Sequence, residues 1–162
     1  MLTVLFPLAP GGGEGVEIGY KGKGVLTHLL SDGNGMPLRF SSTSAKGDER
    51  KQLVVLVDQL PRIRKFHFLY ADKGYDANWL RIYLIKKNWY PMIPHRRFAS
   101  SPRIKTNPVL KKLNCRWKIE RTFAWIKKKY RRIQTRWERR MCYWEGFVSV
   151  AMIMLWVEKL AG

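Results

Sequence analysis

Acidic residues are scarce in this chain. Twelve Asp and Glu stand against thirty-one Lys and Arg in 162 residues, a formal net charge of +19, far beyond what solubility requires. A polyanionic partner is implied, with a solvated basic face or an anionic membrane surface as the blander readings. Cysteine is scarce as well. Cys115 and Cys142 cannot complete a four-ligand zinc site, and the three histidines share no ligand spacing with them. Both thiols read as core or boundary residues of a reducing cytoplasm. Long apolar runs are also missing. Met1 to Pro10 is too short to span a bilayer and lacks a basic leader region, and the run from Phe147 to Val157 is too short too. A cytoplasmic protein without a membrane partner is expected.

What is present is enough for a folded domain: 46% hydrophobic residues, with seven each of Trp, Tyr and Phe. The charge is concentrated. Seventeen cations and only two acids, Glu120 and Glu138, lie between Arg96 and Arg140, which favours a nucleic-acid track over a diffuse basic surface. Residues 1–10, apolar and uncharged, form an atypical N-terminal segment, and Gly11 to Gly15 reads as a flexible break before a domain covering residues 11–162.

The Val-, Leu- and Thr-rich run from Gly24 to Asp32 predicts a strand, Gly33-Asn34-Gly35 a turn, and Met36 to Ala45 the returning strand of a hairpin. Asp48 caps a helix through Leu60. Phe66 to Ala71 predicts a core strand, Asp76 caps a second helix ending near Asn88, and Trp89 to Ile93 is another strand, so the order is strand, helix, strand. Pro94 to Pro108 reads as a basic loop. A long helix then carries Glu120, and a final one runs from about Glu138 to Leu160. The expected class is α/β with a mixed sheet.

With so few acids, the search for metal ligands is short. Asp48 and Asp76 are assigned as caps, and Asp58, Glu138, Glu145 and Glu158 as ordinary surface or ion-pair residues. Asp32 belongs to the turn sequence Asp-Gly-Asn-Gly, and Glu14 and Glu17 lie in or near the glycine-rich stretch. Asp72 follows the carboxyl end of a predicted strand, where open α/β sheets place ligands, with Gly74 beside it; its alternative is a plain turn-former. On a helix, Ile119, Phe123, Ile126, Tyr130 and Ile133 form an apolar stripe, with Arg116, Glu120 and Lys127 together on its flank. That flank is either an ion pair on an amphipathic helix or a metal-holding carboxylate among phosphate-gripping cations. Two metal ions usually need three carboxylates, and only Asp72 and Glu120 stand out.

From Gly11 to about Gly162 the chain resembles the C-terminal half of the catalytic domain of DDE transposases from bacterial insertion sequences. The likeness rests on Gly11-Gly12-Gly13-Glu14-Gly15, Gly19-Tyr20-Lys21-Gly22-Lys23-Gly24, Asp32-Gly33-Asn34-Gly35-Met36-Pro37-Leu38, Ala71-Asp72-Lys73-Gly74-Tyr75-Asp76 and Arg116-Trp117-Lys118-Ile119-Glu120-Arg121-Thr122-Phe123. The family's tyrosine-arginine-glutamate-lysine signature falls on Leu113, Arg116, Glu120 and Lys127, departing only at the tyrosine position. The resemblance implies an RNase H-like mixed sheet flanked by helices. It makes Asp72 and Glu120 the second and third catalytic acids, holding two Mg²⁺ or Mn²⁺ ions. Cleavage and strand transfer at transposon ends follow from it. Arg116 and Lys127 are then expected at terminal phosphates, with Arg121, Arg96, Arg97, Lys128 and Arg131 as further DNA contacts. It also implies double-stranded DNA as partner, an upstream segment or a second copy as companion, and a place at the nucleoid.

One departure carries weight. The family's first catalytic aspartate lies on the opening strand just before such a glycine-rich block, where this chain has Met1 to Pro10 and no acid. The first strand of the fold is therefore expected to be lacking or replaced, the chain to be a truncated or frame-shifted form or a second reading frame, and transposition to need an acid from elsewhere. The alternative is a non-catalytic basic nucleic-acid-binding protein. A third possibility is a fragment without a stable fold. His95, beside Arg96 and Arg97, is either simply exposed or a DNA contact. Trp117, Trp125, Trp137, Trp144 and Trp156 are expected mostly in the core, the alternative being stacking on bases.

Overall fold

A computed structural model describes residues 2–19, 21–62, 64–95 and 116–162, without the side chains of residues 3, 116–120, 122 and 123. The hairpin forms as the alternation predicts. Strand β3 (Gly22–Ser31) pairs antiparallel with β4 (Pro37–Ser44), Val25 opposite Ser44 and Leu29 opposite Phe40. Asp32 closes the turn, one carboxylate oxygen accepting from the amides of Asn34 and Met36 at 2.8 Å each. Glu17–Gly19 (β2) extends the far end of β3. On the other edge of β3 lies β1 (Leu2–Leu5), antiparallel, with Leu2 opposite Leu30 and Leu5 opposite Thr27. The N-terminal segment thus supplies a strand, and it contains no carboxylate.

Asp48 caps α1 (Glu49–Asp58), its side chain accepting from the amides of Arg50 and Lys51. Strand β5 (His67–Tyr70), helix α2 (Asn78–Lys86) and strand β6 (Trp89–Met92) form a β-α-β unit, with β5 and β6 parallel and Leu69 opposite Pro91. Helix α3 (Arg116–Lys129) and helix α4 (Met141–Ala161) close the chain. The class is α/β with mixed strand directions.

Two apolar cores hold these layers. Leu2 and Leu30 meet Leu53, Leu56, Leu69, Tyr75 and Leu80 in one. Leu5 and Leu29 meet Ile126, Ile133, Trp144 and Val148 in the other. Each is built by alternation, since Leu2 and Leu5, and Leu30 and Leu29, point to opposite faces of the same strands.

Several local expectations are corrected. Asp76 does not cap α2: Ala77 is the N-cap and makes no side-chain cap bond, while Asp76 ends the 3-10 turn before it and is buried in an ion pair with Arg81. Glu138 precedes α4 and is buried, paired with Arg132 at 2.9 Å. Glu145 accepts from the Ser42 amide of β4 at 3.0 Å and so ties α4 to the sheet. Cys142 is exposed; Cys115 lies outside the described residues. Of the described tryptophans among the five expected mainly inside, only Trp144 is fully buried, donating to Thr27 at 3.2 Å. The strand at Phe66–Ala71 buries Leu69 but exposes Phe66 and Phe68.

The glycine-rich stretch is fastened instead of loose. Gly13 has φ of +128°, and a Cβ there would meet the Arg139 carbonyl oxygen at 2.6 Å, a conformation and a space that suit glycine. The Glu14 amide donates to that carbonyl at 2.7 Å, and the Glu14 carboxylate accepts from the Met141 amide at the start of α4. Buried Arg136 completes the fastening, donating to the carbonyls of Glu14 and Glu138 at 2.8 Å each. Helix α4 is, by length and composition, also the one described helix able to cross a bilayer. Its Trp144, Val148, Ala151 and Leu155 pack in the second core.

Candidate active site

Asp72 lies just past the end of β5 and caps a short 3-10 turn, Lys73–Tyr75. The Tyr75 amide donates to the Asp72 carbonyl at 3.2 Å, and one carboxylate oxygen accepts from the Gly74 amide at 2.6 Å. A Cβ on Gly74 would fall 2.7 Å from that oxygen. Glycine therefore lets the carboxylate fold back onto its own turn. The Gly74 carbonyl is held in its turn by the Arg50 guanidinium of α1 at 3.0 Å. Asp72 remains exposed, with one oxygen committed to the turn.

The turn is fastened on its far side by a buried charge pair. Arg81 and Asp76 are both wholly buried and 3.0 Å apart. The guanidinium also donates to the Ile93 carbonyl at 2.6 Å, beyond the end of β6, and His95 approaches Asp76 at 3.5 Å. Burial pushes the Arg81 guanidinium down from its ordinary value.

A second acid lies near Asp72, and reading the sequence passes over it. Glu49, in the first turn of α1, is half-buried. Burial pushes its carboxyl up and the Asp72 carboxylate adds to the rise, while the Tyr75 hydroxyl and the Arg50 guanidinium work the other way. Its adjacency to the cap Asp48 was the available signal, since a cap places the next residue at the exposed helix start. Among the described residues no three His, Cys, Asp or Glu side chains form a metal-holding group.

The helix expected to carry the third acid forms. Arg116 and Glu120 are on the described backbone of α3, but their side chains lie outside the description, so their relation to Asp72 is not described. Lys127 is half-buried, and burial, with nearby Lys21, lowers its ammonium below the ordinary value. Arg121 stacks over the Trp125 ring at 4.6 Å, and Lys128 and Arg131 are exposed. Arg96, Arg97 and Leu113 lie outside the described residues.

Strand β1 relates these parts. Leu2 shares a core with Leu69 of β5, the strand that leads to Asp72. Leu5 shares the other with Ile126 of α3, the helix that carries Glu120.

Comparison with known sequences decides the family. The sequence model described as "Transposase DDE domain" matches residues 9–155, most of the chain. The chain belongs to the DDE transposase family. A candidate transposase for insertion sequence element IS402 of Burkholderia cepacia is 30% identical over 136 residues, which are 79% of this chain and 60% of that protein. A second, for element IS6501 of Brucella ovis, is 27% identical over 137 residues, 80% of this chain and 95% of that protein. The chain thus spans about 60% of the length of the first relative. No solved structure matches. Within this DDE transposase chain, the family match begins at residue 9, after β1.

Proposed function

We propose that this chain is the part of a DDE transposase that cleaves and joins DNA at transposon ends, with Asp72 and Glu120 as two of its metal-holding carboxylates. One observation supports the reading above the others. Strand β1, Leu2-Thr3-Val4-Leu5, contacts both the core of β5 and the core of α3, as its neighbour β3 does through Leu30 and Leu29. Strand β1 offers bulk to both cores and no acid to a site between them.

The donor set suits a hard divalent cation in part. Asp72 is exposed at a strand end, and its backbone turn is braced by Arg50 and Asp76. Mg²⁺ or Mn²⁺ takes carboxylate oxygens of this kind. When bound, such ions supply activation of an attacking water or hydroxyl and stabilisation of the leaving oxygen. The protein's share is to hold the carboxylates and to grip the phosphates. Arg116, Arg121, Lys127, Lys128 and Arg131 on α3 and the turn after it are proposed for the gripping, with Arg96 and Arg97. The lowered Lys127 fits that role, because an incoming phosphate relieves the cost of burying its charge. Double-stranded DNA is the proposed partner, completed by an acid-bearing upstream segment or a second copy.

Alone, the chain is expected not to cut DNA. Fusing an acid-bearing strand segment ahead of residue 9 should restore Mn²⁺-dependent nicking of a transposon-end duplex. Asp72→Ala or Glu120→Ala in the fusion should then lower the rate at least a thousandfold, the order expected when several kcal/mol of metal-derived stabilisation is removed. Robust cutting by the unfused chain, or cutting by the fusion that survives Asp72→Ala, overturns the proposal. The charge excess alone favours a second reading, a non-catalytic DNA binder. In that case binding falls steeply with salt, and neither acid matters to any reaction.

A further inference from the structure

The exposed aromatic residues around α4 are arranged in a way that duplex binding does not require. Three of them carry an arginine: Arg121 over Trp125 at 4.6 Å, Arg132 over Phe147 at 4.5 Å and Arg140 over Tyr143 at 6.0 Å. Trp125 is 48% exposed and Tyr143 59%. These rings stay at the surface although the protein has cores that take Trp144 and Tyr75 completely.

The pairs follow one track. Tyr143, Phe147, Met154 and Glu158 fall within about 60° of arc on α4 and span about 22 Å of its length. Arg140 and Arg132 serve the first two positions. At the far end Trp125, Lys128 and Lys129 of α3 face Leu155 and Glu158 across a groove of about 390 Å³, where Lys129 pairs with Glu158. The track is cationic and aromatic at its two ends, with exposed Val150 and Met154 between them.

Phosphates on a duplex are met by cations, polar side chains and backbone amides, and duplex base faces are shielded by stacking. Exposed aromatic rings beside cations serve unpaired nucleotides, whose bases stack on the rings or on guanidinium planes while the backbone follows the charge. We propose that the α3–α4 groove and the aromatic side of α4 bind a single-stranded DNA segment, with Trp125 as the principal stacking platform. This deepens the DNA-acting reading given above and rests on it for the choice of DNA. A cleaved or unpaired strand end is the chemical class that fits.

The test measures binding of the full chain to a fluorescein-labelled 15-nucleotide oligothymidine and, separately, to a labelled 15-base-pair mixed-sequence duplex, at one fixed salt concentration. Trp125→Ala should weaken the oligothymidine complex about tenfold and change the duplex complex less than twofold. Trp125→Phe, which keeps a ring, should recover most of the loss. Circular dichroism of both variants should match the parent. Oligothymidine binding is read without added metal and without cleavage, so failure of the catalytic reading and failure of this one are separable. Equal weakening of both complexes by Trp125→Ala, or no weakening of either, overturns the proposal.

Discussion

Replacing Arg81 by methionine should cost about 3–5 kcal/mol of folding stability in urea unfolding, because it strands a buried carboxylate without its cation. Arg81 and Asp76 are both fully buried. The guanidinium makes two bonds to Asp76, at 3.0 and 3.2 Å, and a third to the Ile93 carbonyl at 2.6 Å. Such a pair contributes little over well-packed apolar residues of the same size, yet is costly to break from one side. The double substitution Arg81→Met with Asp76→Leu should therefore recover much of what the single one loses. The loss has a local meaning as well. Asp76 ends the 3-10 turn that Asp72 begins, so the pair links the exit of β6 to the turn displaying the proposed metal ligand. A cost below about 1 kcal/mol, within the range of surface ion pairs, would show that the pair is not buried as described.

Acidification should remove about 3 kcal/mol of stability through His28 alone. His28 is fully buried in the middle of β3, with Nε2 2.9 Å from the Thr43 hydroxyl. Burial holds its imidazole down to about 4, against an ordinary 6.5. Between those two values the unfolded chain binds a proton that the folded chain does not, so stability falls as pH drops through the window from about 6.5 to 4. His28→Gln keeps a partner for Thr43 and carries no titrating ring. Its urea midpoint should be flatter than the parent's over that window by the stated amount. Comparing variants matters because Glu49 acts in the opposite sense. Its carboxyl is raised, so its burial costs stability at neutral pH and the cost disappears on protonation. Parallel pH profiles for parent and His28→Gln would contradict the burial of a neutral ring.

Much of this fold was legible because its signals are local. The hairpin follows from alternation broken by Asp32-Gly33-Asn34-Gly35, and the Asx-type turn there uses the bonds the sequence suggests. The Asp48 cap and the parallel β5–β6 pair follow likewise. What failed was tertiary. Nothing local separates an Asp that caps a helix from one like Asp76 that turns inward, because the difference is made by Arg81 and by a carbonyl twelve residues further along. The docking of Glu14 against Arg136 and Met141 spans more than a hundred residues, and a run of glycines reads as slack unless its partner is known. The tryptophans misled for a related reason: hydrophobicity marks a residue as able to fill a core, but a +19 surface offers aromatic rings another use. For the candidate site, Asp72 was reached from its place after a strand. Glu49 was missed because its neighbour Asp48 explained the local pattern.

The central claim is that Asp72 and Glu120 hold one metal site between them. It is tested most directly by Mn²⁺ titration calorimetry of the isolated chain, of Asp72→Ala, of Glu120→Ala and of the double variant. If the two carboxylates share a cation, either single substitution abolishes the same binding event and the double variant loses nothing more, a strongly non-additive cycle. Independent, additive losses, or Mn²⁺ binding that survives both substitutions, would contradict the account.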